Sequence, residues 1–130
     1  MIAMENINEH VYGARKIAIT GHVRPDGDCI GSCTALYQYL KRNLNRFGIE
    51  KVDLYLEPFG NEFRILNSID DVKHSVESDE TYDLFISLDC ASLDRLGDAV
   101  KYYHSANKTL NIDHHISNTN FADVNHVVSD

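Results

Sequence analysis

Positive charge is scarce in this chain. Its 130 residues contain 12 Lys and Arg against 20 Asp and Glu, which gives a formal net charge of −8. This deficit argues against broad electrostatic binding to nucleic acid, in which Lys and Arg neutralise phosphates. It does not exclude a substrate made of phosphates, because divalent cations held by acidic residues supply positive charge locally.

Long apolar segments are also lacking. No apolar run approaches the roughly 18 residues that a membrane-spanning helix needs. The N-terminus, MIAMENINEHVYGARK, has no basic region followed by an apolar core, so it does not resemble a signal peptide. We therefore expect a cytoplasmic protein with no membrane partner. Its length and its composition, 43% hydrophobic and 25% charged, predict one compact domain rather than disorder.

Cysteine is infrequent and forms no CxxC pair. The three cysteines, Cys29, Cys33 and Cys90, are odd in number. Cys29 and Cys33 lie four residues apart on a predicted helix and would share a face, a spacing compatible with metal binding. We favour the alternative, in which all three are small buried apolar residues in a reducing compartment.

Short β-rich runs alternate with amphipathic stretches along the chain. The predicted strands are Lys16–Thr20, Lys51–Leu56, Asp83–Asp89 and Lys108–Asp113. Helical spacing of apolar residues predicts helices over 6–12, over 30–47 with Gly48 as its C-terminal cap, over 62–67, and over 93–105 with an interruption at Gly97. This alternation predicts an α/β fold whose mostly parallel sheet is flanked by helices.

Charged clusters follow three of the predicted strands. The residues at these strand ends are His22, Asp26, Asp28, Asp89, Asp113, His114 and His115. Because the carboxyl ends of parallel strands meet at one edge of a sheet, we expect these side chains to converge on one rim. Four carboxylates on one rim repel each other unless cations lie among them. Carboxylate oxygen together with imidazole nitrogen suits Mn²⁺, with Mg²⁺, Co²⁺ or Zn²⁺ as neighbours.

Each of these residues has a plainer interpretation when it is taken alone. Asp28 could be a helix N-cap, and His22 could be a hydrogen-bonded loop histidine. Asp89 could cap the following helix, with Ser92 and Asp94 as rivals for that position. The segment 113–115 could be a polar turn. Their joint placement at strand ends favours the metal site.

The loop and helix after the first strand carry further expectations. Pro25 biases Arg24 towards extended backbone and stiffens the loop. Gly27 permits a turn that lets the carboxylates on either side of it point at different targets. Gly31 and Ser32 are expected to begin the helix, where free amides and the helix dipole favour a phosphate.

Three segments resemble known motifs. HVRPDGDCIGS (22–32), LDCASLDRLG (88–97) and IDHH (112–115) resemble motifs one, two and three of the DHH phosphoesterase superfamily, in that order. The first and third are specific together, and the second is weaker. RPDGD and RLG are most similar to the branch of bifunctional oligoribonucleases and pAp (3′-phosphoadenosine 5′-phosphate) phosphatases. Cyclic-dinucleotide phosphodiesterases, RecJ-type exonucleases and exopolyphosphatase-like proteins share the same core.

The resemblance implies a site for two Mn²⁺ ions, with Mg²⁺ or Co²⁺ as substitutes. By analogy, His22, Asp26 and Asp89 hold one metal, and Asp28, Asp89 and His114 hold the other. Asp89 would bridge the two. Such a pair of metals can share a hydroxide and clamp the phosphoryl oxygens during an in-line attack on phosphorus.

The same resemblance assigns roles around the metals. Asp113 would orient the His114 ring without itself binding a metal. His115 would contact the scissile phosphate or donate a proton to the leaving oxygen. Arg24 and Arg95 are candidate phosphate contacts, and either could equally be a surface charge.

The implied function is hydrolysis of short oligoribonucleotides or pAp. A second possibility keeps the site and changes the substrate to cyclic dinucleotides, single-stranded DNA or polyphosphate. A third is a non-catalytic module that binds metal or nucleotide. Tyrosines in LYQYL and KYYH could face the partner in a homodimer, although a core or groove position is the alternative that we favour.

Members of this branch also carry a fourth motif with a further Asp ligand, and a C-terminal domain rich in Gly and His that grips the nucleotide. The chain ends at Asp130 with neither feature. We expect residues 1–130 to be a truncated DHH domain with little or no turnover. Asp123 or Asp130 could stand in for the missing ligand.

Overall fold

The computed structural model describes residues 4–63, 66, 69–76 and 79–128. Five parallel strands form one sheet in the order β2-β1-β3-β4-β5, flanked by helices. The strands are β1 Lys16–Thr20, β2 Lys51–Tyr55, β3 Leu84–Leu88, β4 Lys108–Asp113 and β5 Val124–Val127. The α-helices are α1 Met4–Val11, α2 Gly27–Arg42, α3 Leu44–Phe47 and α4 Val100–Ser105, and 3₁₀ segments span Asn61–Phe63, Ile69–Asp71 and Leu93–Ala99. The predicted α/β class is confirmed.

Both faces of the central strands are buried. Ile17, Ile19 and Ile86 pack in the core on the side of α2. Ala18 and Phe85 pack in a second core on the opposite face. Burial on both faces is why these strands are continuously apolar and not alternating. No helix in the described part of the chain is long and apolar enough to cross a membrane.

All four predicted strands are present, and a fifth, β5, was not predicted. β1 and β4 have their predicted bounds, whereas β2 and β3 are shorter at their ends. Gly97 interrupts the helical stretch that contains it, with φ 65° and ψ −144°. The helix predicted over 62–67 falls partly outside the described residues. Within it, the 3₁₀ segment ends at Phe63.

The long predicted helix is divided in two. α2 ends at Arg42, and α3 begins at Leu44 after Asn43 departs from helical geometry, with φ −124° and ψ 26°. The side-chain amide of Asn43 donates to the carbonyl of Tyr39 at 2.7 Å, a local bond that competes with continuation of the helix. Gly48 is left-handed, with φ 74°, and caps α3 as predicted.

The start of α2 differs from the prediction. Asp26 is the N-cap, and its Oδ1 accepts a hydrogen bond from the amide of Cys29 at 2.9 Å. Gly31 and Ser32 therefore lie one turn inside the helix, and the expectation that they begin it is wrong. The backbone amides that have no partner within the helix are those of the first turn, before Gly31. Asp28 is a first-turn residue, not the cap.

The loop before α2 is held by long-range contacts instead of by proline. Arg24 has φ 50°, so the expectation of extended backbone there is wrong. The amide of Val23 donates to the carbonyl of Arg95 at 2.7 Å, and the amide of Arg24 donates to Glu57 Oε1 at 2.8 Å. Gly27 is the first residue of α2 and its φ is not positive, so its backbone freedom is not used.

The tyrosines of the two aromatic segments take core or hydrogen-bonded positions. Tyr37 and Tyr102 are buried. Tyr39 donates to Asn8 Oδ1 at 2.6 Å. Tyr103 packs against the second core and donates to the carbonyl of residue 121 at 2.5 Å. The favoured alternative, core or groove positions, is the one that the structure bears out.

Candidate metal centre

Adjacent strands bring the three charged segments together. β1 pairs with β3, and β3 pairs with β4, all in parallel. The loop after β1, the residue after β3 and the end of β4 therefore lie side by side at the carboxyl edge of the sheet. Contacts at 2.7–3.5 Å now join residues that are 25–86 positions apart in sequence. The predicted convergence on one rim is present.

Asp89 lies at the centre of this rim. Its Oδ1 is 2.7 Å from His114 Nε2, and its Oδ2 is 3.5 Å from His22 Nε2. The residue is 6% exposed and has φ 57°. Its amide donates to the carbonyl of Ile112 at 2.9 Å. A non-glycine residue in this region costs about 1–3 kcal/mol, so surrounding structure must hold the carboxylate where it is.

One side of Asp89 forms what we call the inner position, bounded by His22 Nε2, Asp26 Oδ1 and Asp89 Oδ2. His22 Nδ1 lies 2.6 Å from the carbonyl of Val23. Because a carbonyl oxygen only accepts, Nδ1 carries the proton, and a neutral His22 presents the Nε2 lone pair to the carboxylates. Nε2 is 3.7 Å from Asp26 Oδ1. The His22 side chain is 11% exposed.

The other side forms the outer position, bounded by Asp28 Oδ2, Asp89 Oδ1 and His114 Nε2. Asp28 Oδ2 lies 3.2 Å from His114 Nε2. The side chains of His114 and Asp28 are 53% and 63% exposed. The outer position is thus open to solvent, whereas at the inner position Asp26 is 65% exposed and His22 only 11%.

The electrostatics of the rim favour added positive charge. Burial raises the pKa of Asp89, and the nearby Asp28 raises it further against the hydrogen bond from His114. That hydrogen bond raises the pKa of His114. A proton or a cation between these groups is therefore stabilised. The pKa of Asp26 is lowered, chiefly by the hydrogen bond from the Cys29 amide.

Asp113 pairs with a different histidine from the expected one. Its Oδ1 accepts from His115 Nδ1 at 2.6 Å, and its Oδ2 accepts from Asn118 Nδ2 at 2.8 Å. Burial alone would raise the pKa of Asp113, but these hydrogen bonds outweigh it and the pKa lies below its usual value. The expectation that Asp113 orients His114 is wrong. The imidazole that it holds is that of His115.

Two contributors were not expected from the sequence. Asn118 positions Asp113, and its place in the turn after IDHH carries no motif that would have revealed it. The sulfur of Cys29 lies within 4.8 Å of ligand atoms of His22 and Asp89. All three cysteines are buried, as predicted. Their spacing had made metal binding by Cys29 and Cys33 the alternative that we did not favour, and no sequence signal singled out Cys29.

Other candidates lie away from the rim. Arg24 is exposed, and within the described residues its contact is made by the backbone amide and not by the guanidinium. The carbonyl of Arg95 supports the loop. Asp123 accepts from the amide of Thr109 at 2.9 Å, near the start of β4 and thus at the opposite edge of the sheet. The expectation that Asp123 replaces a ligand is wrong, and Asp130 lies outside the described residues.

The donors fit divalent metals. Each position offers carboxylate oxygen and imidazole nitrogen, the set that suits Mn²⁺, Mg²⁺ or Co²⁺. The His22 tautomer is set by a backbone carbonyl, as is usual for metal-binding histidines. A single carboxylate with one oxygen on each side can serve both positions.

Comparison with known families identifies the class of protein. A family model described as the DHH family, N-terminal domain, matches residues 16–129. The chain therefore belongs to the DHH family, whose members are generally metal-dependent phosphoesterase hydrolases. The matched region contains all the rim residues described above. A search of curated proteins found no match.

Proposed function

We propose that this protein is a Mn²⁺-dependent phosphoesterase that hydrolyses short oligoribonucleotides or pAp. One observation carries the proposal. The two oxygens of Asp89 reach histidines from two different motifs, His22 at 3.5 Å and His114 at 2.7 Å. A carboxylate between two nitrogen ligands is the arrangement that a bridged pair of metals requires.

The rim residues would divide between two metals. His22 and Asp26 would hold one at the inner position, and Asp28 and His114 would hold the other at the outer position, with Asp89 shared. Bound divalent cations supply positive charge to phosphoryl oxygens and lower the pKa of water. The protein itself contributes the fixed positions of the ligand side chains, because Asp89 is buried and His22 is nearly so.

His115 and its neighbours would act on the substrate. With Nδ1 bonded to Asp113, His115 keeps Nε2 for the scissile phosphate or for a proton that passes to the leaving oxygen. Arg24, on the exposed loop, would contact phosphate as its guanidinium swings towards the rim. Gly31 and Ser32 would line the approach. A Cβ built at Gly31 meets nothing within 4 Å, which leaves open space beside an exposed Ser32 hydroxyl.

The charge of the chain favours a short substrate. A net charge of −8 offers little counter-charge to a long polyanion, whereas a nucleotide or short oligonucleotide needs only the local metals. Cyclic dinucleotides and single-stranded DNA are the alternative substrates. A non-catalytic metal- or nucleotide-binding module is the alternative of another class.

Calorimetric titration of Mn²⁺ in phosphate-free buffer tests the proposal. The wild-type protein is compared with Asp89→Ala and with Asp94→Asn, which neutralises an exposed carboxylate in a 3₁₀ segment. We expect two bound Mn²⁺ in the wild type and in Asp94→Asn, and loss of both in Asp89→Ala. Equal binding by all three proteins would show that the rim is not the metal centre.

The substrate is tested next, with ³¹P NMR to follow phosphate release. pAp and a short oligoribonucleotide are compared with a cyclic dinucleotide and single-stranded DNA, with Asp89→Ala as the blank. Faster release from pAp or the oligoribonucleotide supports the proposed substrate class. Because little or no turnover is expected of residues 1–130, relative rates over long incubations are compared. Rates no faster with pAp or the oligoribonucleotide than with the other two would contradict the proposed substrate class.

A further inference from the structure

We propose, resting on the metal centre of the proposed function, that Cys29 is a metal ligand at the inner position. Its sulfur makes that position select Zn²⁺ or Co²⁺ over Mn²⁺. The outer position, which has only oxygen and nitrogen donors, keeps its preference for the harder ions. The two positions would then differ in metal as well as in exposure.

The sulfur is close enough to join the inner position. The Cys29 Sγ and ligand atoms of His22 and Asp89 all lie within 4.8 Å of one another. Donors of one tetrahedral zinc ion, with Zn–S of about 2.3 Å and Zn–N of about 2.0 Å, are separated by about 3.5 Å. His22 Nε2 and Asp89 Oδ2 already have that separation, 3.5 Å. A sulfur at the 4.8 Å limit must move by about 1 Å to close the set, and because it is buried and packed beside Gly21, this movement requires a small shift of the first turn of α2.

Two neighbours hold the sulfur at this place. The amide of Cys29 donates to Asp26 Oδ1 at 2.9 Å, so the helix turn that carries the thiol is bonded to a carboxylate of the inner position. Gly21, directly before His22, leaves room for the thiol. A Cβ at Gly21 would overlap the Cys29 sulfur. The end of β1 is thus shaped around this side chain.

A separate observation calls for a cation at the inner position. His22 Nδ1 is bonded to a backbone carbonyl, so Nε2 is the ring nitrogen that faces the carboxylates. It lies 3.5 Å from Asp89 Oδ2 and 3.7 Å from Asp26 Oδ1, both longer than a usual hydrogen bond. A cation placed between these atoms would contact all three, and the Asp89 carboxylate is more than nine-tenths buried.

Donor type favours the softer metals at this place. Cys29 is fully buried and Asp89 is nearly so, although the Asp26 side chain on the solvent side is 65% exposed. Thiolate and imidazole donors suit Zn²⁺, and affinity rises from Mn²⁺ through Co²⁺. Cys29, His22 and Asp89 supply three protein donors, which leaves the fourth place of a tetrahedral ion to water. On binding, the thiol proton leaves to the buffer and sulfur takes its place on the metal.

Cobalt spectroscopy on the intact protein tests the proposal. Co²⁺ is titrated into the wild type, Cys29→Ser and Cys33→Ser, and the sulfur-to-cobalt charge-transfer absorption in the near ultraviolet is recorded. Cys33 is the matched control. It is equally buried, lies one turn further along α2 and is outside the donor group. Its thiol is hydrogen-bonded to that of Cys29, and serine keeps a hydroxyl partner there while leaving the Cys29 sulfur in place. We expect the band in the wild type and in Cys33→Ser and its loss in Cys29→Ser.

Competition with Mn²⁺ gives the affinity. Release of Mn²⁺ by added Zn²⁺, followed by the electron paramagnetic resonance of free Mn²⁺, should require at least about 10-fold more Zn²⁺ in Cys29→Ser. A loss of metal affinity of about 10-fold is the smallest usually seen when a group that only hydrogen-bonds to a metal ligand is removed, so loss of a ligand itself should cost at least as much. An unchanged Zn²⁺ requirement would overturn the assignment.

The outcomes separate this proposal from the one on which it rests. Co²⁺ binding without a sulfur band in the wild type overturns the role of Cys29 and leaves the metal centre standing. No binding of Co²⁺ or Mn²⁺ by any of the proteins overturns both. If Cys29→Ser does not fold, X-ray absorption of the zinc-loaded wild type decides. A sulfur neighbour at about 2.3 Å supports the ligand, and oxygen and nitrogen alone refute it.

Discussion

Substitution of Gly21 by alanine tests how tightly the end of β1 is packed against α2. The new methyl group would overlap the Cys29 sulfur and would lie 3.2 Å from Leu56 Cδ2 and 3.3 Å from Cys33 Sγ. These three neighbours are all buried. Relief would therefore require shifts of the helix or of the strand, not the movement of one flexible side chain.

The magnitude follows from two opposing effects. Overpacking of this kind costs about 1–3 kcal/mol. Replacing glycine lowers the entropy of the unfolded chain, which returns about 0.4–1 kcal/mol. The two ranges combine to a net loss of about 0–2.6 kcal/mol in the free energy of unfolding, and the overlap with the buried Cys29 sulfur places the expected loss in the upper half, above about 1.3 kcal/mol. For a domain of this size the loss lowers the melting temperature by roughly 3–5 °C per kcal/mol.

Urea unfolding followed by circular dichroism, with chelator present, measures the effect. The cycle uses Gly21→Ala, Cys29→Ala and the double variant, in which removal of the sulfur makes room for the methyl group. We expect a coupling of about 0.5–3 kcal/mol that partly restores stability in the double variant. Gly31→Ala is the control, because its Cβ meets nothing within 4 Å and alanine in a helix interior is favoured by about 1 kcal/mol. Strictly additive effects, or a Gly21→Ala protein as stable as wild type, would refute the close approach.

Three further changes have defined outcomes. Tyr82→Phe removes a 2.6 Å hydrogen bond to the buried Asp53 carboxylate and should cost about 1–3 kcal/mol in urea unfolding. Gly97→Ala places a Cβ 2.7 Å from Val23 Cγ1 at φ 65° and should cost at least about 1–3 kcal/mol by the same assay. Hydrogen bonds from two lysines lower the pKa of Glu80. Its stabilisation is therefore present above the unfolded value near 4.5 and lost as pH falls through the folded pKa. The melting temperatures of Glu80→Gln and wild type should become equal below the folded pKa of Glu80. A difference in melting temperature that stays constant with pH would contradict stabilisation by the Glu80 carboxylate.

Strand and fold class could be read from residue order alone. β1 and β4 were predicted to the residue because β-branched and apolar runs bounded by polar residues fit a doubly covered parallel sheet. The metal rim was predicted for a related reason. Once the strands are parallel, their carboxyl ends share one edge, and His22, Asp89 and His114 follow three such ends.

Helix boundaries were harder to predict from the sequence, because they depend on which of several possible capping residues makes the capping hydrogen bond. Asp26, Asp28 and Ser32 are all acceptable near a helix start. Asp26 became the cap because its carboxylate met the amide of Cys29, which left Gly31 one turn inside.

The sequence by itself determined four of the five strands, the alternation of strands with helices and the donor types that meet at the rim, since these follow from local periodicity and from parallel pairing. It did not reveal β5. Only the tertiary structure decided which donors touch. Asp113 bonds to the imidazole of His115 and not to that of His114, the two oxygens of Asp89 point to opposite sides, and Cys29 lies beside the inner position. Hydrogen bonds and metal coordination are decided by tenths of an ångström between side chains far apart in the chain, and residue spacing does not encode those distances.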